Sequence, residues 1–135
     1  MIRWPLLIPS LLVVAVAPAL SLLKTLGLAS QQIWLLEQGL GGDKVVHFSF
    51  GFALMLAMLL ALFSLLRDEL RLRFKPYLWL GIGVLVAFFI DECLQAWSPL
   101  RQFDLLDFAM SALGGGFAWL LFQLARQIWL EKVDL

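Results

Sequence analysis

A chain of 135 residues that is 62% hydrophobic and 15% charged carries more apolar surface than a water-soluble domain of this size can bury. Its formal net charge of zero gives no electrostatic footprint for nucleic acid. Its single cysteine, Cys93, excludes both an intramolecular disulfide and a thiolate metal cluster.

What remains is one domain, residues 1–135, whose solvent is a bilayer. A membrane-spanning helix needs roughly 20 mostly apolar residues. Four runs meet that requirement: 4–23, 45–66, 78–97 and 105–125. The first also reads as a signal peptide, with Arg3 as its basic start and "AVA" at 15–17 as a cleavage site. Pro18 directly after that site speaks against cleavage. Together with Pro5 and Pro9 it suits a kinked span that is retained.

Residues 24–42 are too polar to cross. Ile33, Trp34 and Leu36 within them suit a short helix lying on the membrane surface, and "GLGG" at 39–42 reads as a turn. The second span opens with Asp43, Lys44 and His47. The third ends in "FFIDECLQAW" at 88–97, where Asp91 and Glu92 stand side by side, followed by Gln95. Arg101 lies in the next loop. The fourth span opens with Asp104, Asp107 and Ser111 and carries Gly114, Gly115 and Gly116 mid-span, as close helix packing requires. Trp4, Tyr77, Trp79, Trp97 and Trp129 sit near span ends, where aromatic belts form. The predicted architecture is an all-α membrane protein, a compact bundle of four transmembrane helices with a short interfacial helix between the first two.

Positive charge sets orientation. With four spans, both termini and the second loop share one side, which holds seven Lys and Arg (Arg3, Arg67, Arg71, Arg73, Lys75, Arg126, Lys132). The other side holds three (Lys24, Lys44, Arg101). Both termini are therefore expected in the cytoplasm, and the first and third loops outside.

The acids then converge on the outer leaflet. Asp43 and His47 are i,i+4, as are Asp91 and Gln95, and Asp107 and Ser111. Asp43 suits the N-cap of the second span. Asp104 suits that of the fourth, with Asp107 at the third helical position in a capping box. His47 is expected against Asp43. Capping does not explain Asp91 and Glu92, because they approach a helix C-terminus, where the dipole disfavours negative charge. Asp91 lies six residues before Trp97, roughly 9 Å along the axis. A charge there costs about 2.5–3.5 kcal/mol unless partners come to it. Arg101 and His47 are the partners the sequence offers.

"DKVVH" at 43–47, "DECLQ" at 91–95, Arg101 and "DFAMSALGG" at 107–115 together resemble the VanZ-like family of small bacterial membrane proteins. The family pattern is D-K-x-x-H, D-E-x-x-Q, a loop Arg, then D-x-x-x-N-x-x-G; Ser111 stands where the family commonly has Asn. Matched residue by residue, the resemblance implicates Asp43, Lys44, His47, Asp91, Glu92, Gln95, Arg101, Asp107 and Gly114. It implies a protein of the bacterial inner membrane, and the family takes its name from a member linked to teicoplanin resistance.

Three functions suit this polar site. The first is a binding protein for membrane lipids or a lipid-linked cell-wall precursor, with Arg101 on a phosphate and Glu92, His47 and Gln95 positioning hydroxyls or amines; Asp43, Lys44, Asp104, Asp107 and Ser111 complete the candidate ligand-binding set. The second is an intramembrane enzyme, with His47 or Glu92 as general base and Asp91 or Asp107 orienting it. A divalent cation is a candidate at the carboxylates. The third is a transporter, which the sequence supports least, since the polar residues stop at one leaflet. A pocket opening sideways to lipid would favour the first.

Overall fold

The computed structural model describes residues 2–28, 30–97 and 103–133, and these are helical without strands. The elements are α1 (Trp4–Thr25), α2 (Ser30–Gly39), α3 (Asp43–Leu65), α4 (Asp68–Arg71), α5 (Lys75–Gln95) and α6 (Leu105–Val133). Four of them, α1, α3, α5 and α6, are long and apolar enough to cross a membrane. They pack together, and their outward faces are Leu, Val, Ile and Phe. The chain is thus built as a multi-pass membrane protein. Against the apolar runs, α1 and α6 extend further at their C-terminal ends, α3 and α5 begin earlier, and α3 and α5 stop one and two residues short.

Local sequence explains the helix ends. Proline stands in the first turn of α1 and of α5, where the amide it lacks has no helical partner to lose. Helix α1 continues through Pro9 and Pro18. Helix α2 is the short element expected between the first two spans. Gly41, at φ 101°, closes it: the Gly42 amide donates to the Glu37 carbonyl at 2.8 Å. Gly42, at φ 100°, then delivers the chain into α3. Asp43 is the first residue of α3 rather than its cap, since Gly42 occupies that position and offers no side chain.

Helix α3 is the centre of the bundle, with α6 and α1 on its flanks and α5 against α6. The α3–α6 contact is backbone on backbone. A Cβ at Gly51 would stand 2.1 Å from the Ser111 carbonyl oxygen, and one at Gly114 would stand 2.0 Å from that of Phe48. Only hydrogen fits at either place. Gly115 faces Phe88 and Met55, with an added Cβ at 3.1 and 3.4 Å, whereas Gly116 faces open space. Around this seam lies the apolar core of Met55, Leu59, Phe63, Val84, Phe88, Ala118 and Phe122.

At one end of the bundle, arginines tie off helix termini. Buried Arg71 donates from Nε to the Phe63 carbonyl (2.7 Å) and from Nη2 to that of Ser64 (3.2 Å), satisfying the last turn of α3. Buried Arg126 donates to the Leu72 carbonyl at 2.9 Å and accepts the Tyr77 ring as a cation–π partner at 5.3 Å. Sequence alone marks these arginines as charge on one side of the membrane, but the folded chain buries them against backbone carbonyls at helix ends. Tyr77 is also no belt residue. It is wholly buried, its hydroxyl donating to the Arg71 carbonyl at 3.3 Å. Trp79 and Trp97 do remain exposed.

The seam sets a test. Gly114→Leu should force α3 and α6 apart and destabilise the protein by about 1–3 kcal/mol or more. Gly116→Ala should be neutral or stabilise by up to about 1 kcal/mol. Thermal unfolding in detergent compares the two, and equal effects would mean that the seam is not tight.

Candidate functional site

At the opposite end, five helices bring polar side chains together. The central strand of contacts runs through Lys44. Its ammonium donates to Asp107 and to Asp104 (2.5 Å) and lies 3.9 Å from Asp43, so one cation of α3 serves acids on both α3 and the start of α6. Asp104 caps α6 as expected, its Oδ1 accepting the Leu106 amide at 2.8 Å. The capping box does not form. Asp107 turns to Lys44, and the Asp104 amide that it would have taken donates instead to Glu92 Oε1 on α5, at 2.9 Å.

His47 sits between two carboxylates. Its Nε2 is 3.5 Å from Asp43 Oδ1 and 3.6 Å from Asp107 Oδ2, and its Nδ1 is 3.3 Å from the Ser111 hydroxyl. The Asp43 pairing was legible in the i,i+4 spacing; the contacts with α6 depend on the glycine seam. Asp43, His47 and Asp107 offer ligand atoms within 4.8 Å of one another, a set able to hold a divalent ion. The Lys44 ammonium already brings positive charge to two of the three.

Asp91 and Glu92 diverge, as adjacent helical residues must. Asp91 accepts from the Ser21 hydroxyl of α1 (3.1 Å to Oδ2) and from Gln95 Nε2 (2.8 Å). Glu92 is 2% exposed and turns toward α6. Arg101, the partner anticipated for these acids, lies outside the described residues.

Sequence reasoning missed three participants: Ser21, Lys24 and Glu37. Lys24, the last cation of α1, pairs with Glu37 of α2 and with Asp43 at 3.1 Å. The signal was present in the i,i+3 spacing of Ser21 and Lys24, but nothing local says that α2 folds back over them. Glu37 lies one turn after Ile33, and both face inward while Trp34 and Leu35 stay exposed.

Beneath α2 is a cavity of about 110 Å³. Its polar wall is Ser21, Lys24, Glu37, His47, Asp91, Glu92, Gln95 and Ser111; Leu20, Ile33, Phe50, Phe88 and Phe108 complete it. An apolar groove of about 280 Å³, lined by Leu12, Val13, Val16, Ala17, Leu20 and Phe50, runs along α1 and α3. The two share Leu20 and Phe50 in their walls, so the cavity and the apolar groove lie side by side. No protein-family model, curated protein or solved structure matches the chain.

The Lys44 hub has a pH signature. The hydrogen bond from Lys44, helped by the Leu106 amide, holds the Asp104 carboxyl below its ordinary value of 3.8. Its ionised form therefore stabilises the fold above that value, and the contribution is lost as pH falls through the lower folded value. Thermal stability in detergent should fall as pH drops from about 5 through and below 3.8, and Asp104→Asn should fall less. Identical pH profiles would remove Asp104 from the hub.

Proposed function

We propose that this chain is a VanZ-like protein of the bacterial cytoplasmic membrane that recognises an envelope lipid at the outer leaflet, with both termini in the cytoplasm. The observation that carries the reading is the cavity whose wall gathers Lys24, Asp91, Glu92 and Gln95 directly beside an apolar groove, the two sharing Leu20 and Phe50. A lipid has that division: a polar head that needs hydrogen-bond partners and a chain that needs none. The excess of Lys and Arg at the Arg71 end supports the orientation. The cavity of about 110 Å³ suits a small headgroup better than the sugars of a lipid-linked wall precursor.

An enzymatic reading draws on one further fact: His47 and Glu92, the candidate general bases, line the same cavity. Transport gains nothing from the geometry, because Arg71, Tyr77 and Arg126 pack the other end of the bundle.

Native mass spectrometry of protein released from mild detergent tests the lipid reading. Wild type should carry a lipid adduct. Asp91→Asn/Glu92→Gln, and separately Val16→Trp, which fills the groove, should each reduce it about tenfold. Equal lipid occupancy in all three proteins would sink it.

A further inference from the structure

Resting on the lipid reading above, we infer that the cavity takes a primary ammonium group, as on an aminoethyl headgroup, held by Asp91, Glu92 and Gln95. Three observations lead there. The first is an orphan acceptor. Gln95 is 2% exposed and lines the cavity, and among the described residues nothing donates a hydrogen bond to its Oε1. Its amide orientation follows from chemistry: Nε2 must face Asp91 Oδ2, 2.8 Å away, because a carboxylate only accepts. The oxygen is therefore the unpaired end, and it calls for a donor.

The second is charge. Among the described residues, no cation lies within ion-pair distance of Asp91 or Glu92. The donors to them are the Ser21 hydroxyl, the Gln95 amide and the Asp104 backbone amide, all neutral. Lys24 lines the same cavity, but its ammonium is engaged by Glu37 and Asp43. A neutral donor such as water would satisfy Gln95 but bring no positive charge to either carboxylate. An anion would worsen them.

The third is fit. An ammonium carries three donors in a compact tetrahedral head. Asp91 and Gln95 are i,i+4 on one face of α5, and Glu92 lines the same cavity from the adjoining face. An aminoethyl group is small enough for the cavity of about 110 Å³. A trimethylated ammonium has the charge but no N–H to give. The site therefore separates two headgroups that share charge and differ in donors.

The experiment offers the delipidated full-length protein equal amounts of phosphatidylethanolamine, phosphatidylcholine and phosphatidylglycerol with the same acyl chains, and reads occupancy by native mass spectrometry. Wild type should retain phosphatidylethanolamine over both others by about tenfold or more. In Asp91→Asn that lipid should fall to the level of the others. Equal retention of all three by wild type would overturn the ammonium assignment while leaving the lipid reading standing. So would a preference that survives in both Asp91→Asn and Gln95→Leu. A second arm titrates ethanolamine alone and follows thermal stability. Stabilisation that Asp91→Asn abolishes, with no lipid retained, would keep the ammonium site and overturn the lipid reading. No lipid retained and no response to ethanolamine would overturn both.

Discussion

The rest of the structure depends on the contact between α3 and α6, where Gly51 and Gly114 let two backbones touch. In a bilayer, helix association gains little from burying apolar surface, because lipid is as apolar as leucine. Close approach replaces that driving force with dispersion and short polar contacts. The seam also acts at a distance. It carries Asp43, Lys44 and His47 of α3 to within bonding reach of Asp104, Asp107 and Ser111 of α6. A side chain at either glycine would separate those two polar sets by ångströms, and hydrogen bonds do not stretch that far.

The two ends of the bundle solve the same problem in different ways. Helix ends leave carbonyls and amides without partners, and the membrane interface makes that costly. At one end, Arg71 and Arg126 reach back to the carbonyls of Phe63, Ser64 and Leu72, and aromatic rings cover their guanidinium faces. That end is closed by packing. At the other, acids outnumber cations, and Lys24 and Lys44 are each shared among several carboxylates. There the polar groups surround a space.

Helix α2 gives that chamber a roof. It is tied down by the Lys24–Glu37 pair and by Ile33, and it joins its neighbours through residues with positive φ at both ends: Gly27 at 71° on one side, Gly41 and Gly42 on the other. Glycine adopts these angles without steric cost, so the chain can reverse direction twice within a short span. The roof thereby brings a carboxylate, Glu37, to a cavity whose other polar groups come from the membrane spans.

Much of the fold is legible in the residues. Four apolar runs of spanning length dictate four helices, because no other backbone arrangement satisfies its own hydrogen bonds there. The "GLGG" turn, the cap at Asp104, the Asp43–His47 stripe and the close packing at Gly114 follow from local chemistry. The sequence also places Asp91, Glu92, Asp107 and Ser111 near one leaflet by counting along helices. It could not choose their partners. Ser21 meets Asp91 across 70 residues of chain, and Lys44 meets Asp104 across 60. Nothing periodic marks Gly51 as the counterpart of Gly114, or Lys24 as the partner of Glu37. Helical spacing fixes which residues share a face, since it is a property of one backbone. Which faces meet depends on how closely two backbones can approach, and that is decided only when the bundle is assembled.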